Sequence, residues 1–236
     1  MNILRYEETP WRGNPHFQIR LIQPERTLGK AVLPPQYMTN DSGFGPLQLV
    51  MHCYLKDIHI PMHEHRNDEI MSYLISGTMR HKDSVGQVAE VSASNIMMMN
   101  AGKSFYHEET SEACEALQIL IRPEQDGLDS GVQFFARDIE NVEGWQLLGA
   151  PKEIDAPLVI RNQVAIYDAR FDVDETIQLP KLKDFTPWLY VMDGEIQVDE
   201  TILSKGDAIA GFELYEHSLN TLKKLTLVLF LVNEKA

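Results

Sequence analysis

Cysteine is scarce in this chain: Cys53 and Cys114 are the only two among 236 residues, and they form no CxxC or other paired spacing. A chain of this length buries a full core without disulfides, so two isolated thiols read as buried and reduced. Basic residues are few as well. Lys and Arg number 21 against 35 Asp and Glu, a net charge of −14 with histidine neutral, and they form no basic run. Such a surface repels phosphate backbones and anionic lipid, so direct nucleic-acid binding is not expected. Long apolar runs are missing too. The longest, 225–232, falls far short of the roughly 20 residues a spanning helix needs, so no membrane association is expected. The first eight residues hold no apolar core and are acidic early, so no signal peptide is expected and the cytoplasm is the expected compartment. Finally, no phosphate-binding loop, dinucleotide fingerprint or nucleophile elbow occurs, which leaves nucleotide and acyl-transfer chemistry without support.

What the sequence does contain is strand. Segments 46–55, 70–75, 88–91, 115–121, 164–171, 188–192 and 225–232 are rich in apolar and β-forming residues and bounded by Gly, Asp, Ser or Pro. Glu195-Ile196-Gln197-Val198-Asp199 alternates as a strand with one wet face does. Apolar residues at helical spacing are confined to 132–148 (Val132, Phe134, Phe135, Ile139, Val142, Trp145), where a short helix is expected. The halves also echo each other: Tyr73–Gly77 and Tyr190–Gly194 are each an apolar strand ending at Gly, with a strand, a turn and another apolar strand after it. Together with the strand spacing, this predicts an all-β fold of two tandem jelly-roll barrels. The polar segment 123–131 marks the expected boundary, giving domains 1–130 and 131–236; segment 149–157 offers a later one.

The chemistry concentrates in His63-Glu64-His65 and, some forty residues later, His107-Glu108-Glu109. Residues two apart on a strand share a face, so His63 and His65 aim together, as do His107 and Glu109. If the two strands face each other inside a barrel, three neutral nitrogens and one carboxylate converge, a set suited to a divalent transition metal with positions left open. The second half has no HxH and no evident metal site. His52, His59 and His81 read as packed or turn histidines, and Met97-Met98-Met99 as core filling split between two faces.

These segments resemble the pirin family, a branch of the bicupins. The resemblance is carried by His63-Glu64-His65-Arg66-Asn67-Asp68-Glu69, Leu74-Ile75-Ser76-Gly77, His81-Lys82-Asp83-Ser84-Val85-Gly86 and Ala101-Gly102-Lys103-Ser104-Phe105-Tyr106-His107-Glu108-Glu109, and it covers about residues 45–125. It implies two cupin domains, the second without metal, and metal ligands at His63, His65, His107 and Glu109. Glu69, where the general cupin pattern places its acid, is the runner-up ligand and is expected to take a structural role. The metal it implies is Fe(II), although three His and one Glu also accept Mn, Ni, Cu or Zn. The activity it implies is that of the quercetin 2,3-dioxygenases of the family, with dioxygen and a flavonol-like aromatic enol as substrates and Glu109 taking the enol proton. The alternative it carries is a non-catalytic, redox-sensing regulator that docks on a protein partner. This chain departs from the family pattern at Glu64, Ser104 and Glu108, which stand for Pro, Gly and Ser. Strand parity turns Glu64 and Glu108 away from the metal. Ser104 would be strained if its backbone needed a positive φ.

Overall fold

The computed structural model describes residues 2–29, 43–140 and 144–236, and almost all their regular structure is strand. The fold is all-β, as expected. An eight-stranded antiparallel sheet runs in the order Arg12–Asn14, Phe17–Ile22, Leu47–His65, Phe105–Ile121, Glu69–Asp83, Val88–Ser92, Asn95–Asn100, Gly131–Ala136, and Glu69–Asp83 also pairs with Asn95–Asn100. The other half is a seven-stranded sheet, built around Thr186–Asp193, Leu225–Val232 and Val164–Phe171, with a four-stranded sheet beside it.

Side-chain parity sorts the core into layers. Along Leu225–Val232, Leu225, Leu227, Leu229 and Leu231 fill the interior of the second barrel. Val228, Phe230 and Val232 point the other way, into a core shared with the first half. Thr186–Asp193 splits likewise, with Leu189 and Val191 inward and Trp188, Tyr190 and Met192 outward. A strand buried on both faces has no polar alternation, which is why these two read as continuous apolar runs. From the first half, Met71, Tyr73, Leu117 and Ile119 meet that shared core. The first barrel's own interior holds Cys53, Leu55, Leu74, Met79, Met97 and Cys114.

The internal echo has a physical basis. Gly77 and Gly194 both take positive φ, 72° and 90°. A Cβ at either would lie 2.0 and 2.1 Å from the backbone carbonyls of Ala113 and Lys224 on the neighbouring chain segment, so only glycine lets the strands close there. Tyr73 and Tyr190, four residues earlier in each copy, both enter the shared core from equivalent strands of the two barrels.

Two strands cross the expected boundary at residue 130. Gly131–Ala136 pairs with Asn95–Asn100 and completes the first sheet, whereas Asn2–Leu4 pairs with Ala208–Ala210 in the second. The helix expected over 132–148 is corrected: Gly131–Ala136 and Gly144–Ala150 are strands, and Val142 lies outside the described residues. Pairing of Phe134 and Phe135 with Met97 and Ile96 overrides the apparent helical spacing. Among the described residues no helix is long and apolar enough to cross a membrane.

Charged groups at the interface are paired, with Arg137, Asp168 and Glu69 fully buried and Arg161, Glu115 and Lys205 partly so, and the pairing offsets part of their desolvation cost. Arg137 Nη1 reaches both carboxylate oxygens of Asp168 at 2.7 and 2.8 Å, and the Tyr73 hydroxyl donates to the same carboxylate at 3.0 Å. Arg161 Nε donates to Glu69 at 2.7 Å, the structural role expected of Glu69. Glu115 Oε1 accepts from His52 Nε2, Tyr54 and Lys205 at 2.9, 2.8 and 2.7 Å. Tyr190 donates to His52 Nδ1 at 2.7 Å and accepts from Arg20 at 3.2 Å. Burial opposes the ionisation of Glu115, but those three hydrogen bonds and the Lys205 charge outweigh it and hold the carboxyl at about 2.

Two outcomes are expected. Phe230→Ala empties part of the shared core and costs about 3–5 kcal/mol in urea unfolding. Glu115 binds its proton less readily folded than unfolded, so its stabilisation is complete above the ordinary value of 4.5 and is lost as pH falls through about 2. Acid titration of thermal stability shows that loss, and Glu115→Gln removes this contribution from the profile.

Candidate metal centre

The HxH segment ends the strand Leu47–His65, and His107 lies near the start of Phe105–Ile121. These strands are hydrogen-bonded neighbours of one sheet rather than opposite walls of a barrel. Their register shifts between Ile60, opposite Glu109, and His63, opposite His107, so one extra residue is bulged at Pro61-Met62. Proline has no N–H to give the ladder and suits a bulge, and the bulge re-aims the side chains beyond it. His63 therefore stands directly across from His107, with His65 one pleat further on the same face. The loop after His65 is tied down by backbone bonds from Asn67 N to Gly102 O at 2.7 Å and from Ala101 N to Asp68 O at 2.8 Å.

The three imidazoles converge. One ring nitrogen of each lies within 4.8 Å of the other two, and the ring centroids are 4.4 to 5.1 Å apart. Local partners fix two of the protons. His63 Nδ1 is 2.9 Å from the Pro61 carbonyl, which can only accept, so Nδ1 carries the hydrogen and Nε2 is a bare lone pair. His65 Nδ1 donates to the Asp68 carboxylate at 3.0 Å with the same consequence. His107 Nε2 is buried and has no hydrogen-bond partner among the described residues. An orphaned buried nitrogen is costly unless something fills it, and a cation between three lone pairs does so. Burial, then the nearby His63, His65 and His81, push the His107 imidazole down to about 3, so it is neutral at ordinary pH, as a ligand must be. The residues present fit a divalent transition-metal ion.

Glu109 stands apart from that trio. It is buried, 3.9 Å from His107 Nδ1, and its two oxygens accept from Gln118 Nε2 at 3.3 and 3.2 Å. Burial pushes its carboxyl up to about 7 despite the opposing Gln118 bond and the His65 charge. The departures from the family pattern leave the cluster alone. Glu64 takes bonds from Arg66 and Ser104, and Glu108 pairs with Lys82 at 2.9 Å and His59 at 3.5 Å, both on the face away from the imidazoles. Ser104 is not among the residues with positive φ, so it carries no strain.

The other expectations fall into place around the site. Met97 and Met99 enter the first barrel and Met98 the shared core, all three fully buried. Both cysteines are free and buried. His16 and His217 bond to Lys56 O and Asp199 away from the cluster. His81 is more than a packed histidine: it lies fully buried against His107, with Asp83 on its far side. The readable signal was the HxD spacing, which puts both side chains on one face of a strand. The bulge gave none, because Pro61 alone does not say which way the register moves.

Two barrels in tandem, one bearing a histidine trio, define a bicupin. A family model described as Pirin matches residues 33–121 and one described as Quercetinase C-terminal cupin domain matches 147–232; the chain belongs to the pirin family. It is 28% identical over 152 residues to the quercetin 2,3-dioxygenase of Escherichia coli K12, covering 63% of this chain and 65% of that protein. A Pasteurella multocida protein provisionally named for the same activity is 24% identical over 215 residues, 88% of this chain and 90% of its own. Among solved structures, Escherichia coli YhhW superposes with a TM-score of 0.81 at 22% identity, covering 98% of this chain and 96% of its own, and that bacterial pirin has also been solved in complex with nickel(II).

His107→Ala removes the innermost nitrogen of the trio. Metal titration is expected to show a loss of affinity beyond the roughly 10- to 100-fold that attends removal of an outer partner, and metal-dependent thermal stabilisation should vanish with it.

Proposed function

We propose that this chain is a metal-dependent dioxygenase of the pirin type acting on a flavonol-like enol, with iron(II) held by His63, His65, His107 and Glu109. The observation that carries the reading is a buried carboxyl beside three imidazoles whose ring nitrogens converge. The activity named for its relatives supports it. An iron ion bound there supplies Lewis acidity toward the enol oxygen and a site for dioxygen.

The protein's own part is proton handling and positioning. Glu109 takes the proton of the substrate hydroxyl and holds it as the carboxylic acid, leaving the substrate as an enolate rich enough in electrons to react with dioxygen. Gln118 keeps the carboxylate facing His107.

Iron-loaded protein is expected to consume oxygen with quercetin, and Glu109→Gln, assayed at saturating iron, to lower that rate by about 10²–10⁴-fold. An oxygen electrode trace that stays flat with quercetin and related enols, beside an active Escherichia coli relative, would contradict the assignment. Metal bound without oxygen uptake would mark a non-catalytic metal-binding module instead.

A further inference from the structure

The described residues assign a proton to each ring of a chain that runs inward from Asp83. Asp83 Oδ1 accepts two backbone N–H bonds, from Val85 and Gln87, both at 3.0 Å, which fixes the carboxylate across its own turn. Its Oδ2 lies 3.0 Å from His81 Nε2. A carboxylate can only accept, so Nε2 carries the hydrogen, and with that single hydrogen the His81 ring keeps a lone pair on Nδ1. That lone pair faces His107 Nδ1 at 3.4 Å. Two bare lone pairs would repel, so the hydrogen between them sits on His107 Nδ1, and His107 Nε2 is left bare on the side of His63 and His65. The His81 ring is held in this orientation by Phe105, nearly parallel at 6.4 Å, and by Phe134 edge-on at 6.2 Å. Both Asp83 and His81 have fully buried side chains.

We infer that Asp83 and His81 are positioning residues that lock His107 in the Nδ1–H tautomer, so that its Nε2 lone pair is presented to the centre whether or not an ion is there. The link to metal affinity rests on the proposed ligand set; the tautomer itself does not. The relay differs from the direct contacts that fix His63 and His65, because the proton on His107 is set two residues away through a second imidazole. Glu109 Oε1, at 3.9 Å from His107 Nδ1, is too distant to replace it.

Asp83→Asn tests this with one atom changed. The two backbone N–H groups require an acceptor, so the Asn oxygen stays on Val85 and Gln87 and its NH₂ turns to His81. The NH₂ can only donate, so His81 Nε2 becomes the acceptor, its hydrogen moves to Nδ1, and His107 must accept on Nδ1 and carry its own hydrogen on Nε2. Nitrogen-15 correlation spectra of the metal-free proteins should therefore show His107 as Nδ1–H in the parent and Nε2–H in Asp83→Asn. Zinc(II) affinity should fall by about 10- to 100-fold in the variant, with an unchanged circular dichroism spectrum. His81→Phe, which keeps the ring volume, removes the relay without reversing it and should give a mixture of the two His107 tautomers with a smaller loss of affinity. Nδ1–H retained in Asp83→Asn, or Nε2–H found in the parent, would overturn the inference. A tautomer that switches as described in proteins that take up no zinc would uphold the relay and instead remove the proposed ligand set.

Discussion

The site depends on one register. Leu47–His65 and Phe105–Ile121 pair along most of their length, and a single bulged residue at Pro61-Met62 sets His63 opposite His107 rather than one pleat away. A slip of one residue would turn His63 and His65 to the other face, since side chains alternate along a strand. The bulge also supplies the Pro61 carbonyl that holds the His63 ring. The same local irregularity thus chooses the face and fixes the proton, and the pinned loop at 67–68 holds His65 in step.

Around that register burial disfavours charge on His107 and Glu109. Burial lowers the His107 imidazole and raises the Glu109 carboxyl, so neither holds its charge as readily as in water. Each imidazole that faces the centre has its Nδ1 occupied by a partner of its own: Pro61 O, Asp68 and His81. Asp68 and Asp83 stand behind the rings, and other charged groups pair at the domain interface. At the domain interface Arg137, Arg161 and Lys205 each meet a carboxylate, so the second barrel contributes a rigid backing of ion pairs and aromatic packing. Glu115, on the same strand as His107, anchors that strand to the second barrel through Lys205.

Much of this was legible in the sequence, for physical reasons that differ from element to element. Strand content came from β-forming runs between turn residues, and the buried central strands announced themselves by losing alternation. The echo of Tyr73–Gly77 in Tyr190–Gly194 was readable because each copy needs glycine where a neighbouring carbonyl comes within about 2 Å of the Cβ position. The trio His63, His65 and His107 came from the period of two. What was hidden depends on pairing. The strand at Gly131–Ala136 looked helical because its aromatics fall at intervals that only its partner Asn95–Asn100 disambiguates. The bulge that sets His63 opposite His107, the offset of Glu109 toward His107 Nδ1, and the Asp83–His81 relay arise from contacts between strands that spacing along one strand does not encode.

The central claim is that three imidazoles, each presenting Nε2, hold one ion. X-ray absorption at the zinc edge of the zinc-loaded protein tests it most directly. The account predicts a first shell of nitrogen and oxygen at about 2.0–2.1 Å with outer-shell scattering from three imidazole rings. A sulfur shell at about 2.3 Å, which would bring in Cys53 or Cys114, or scattering from fewer than three rings, would contradict it.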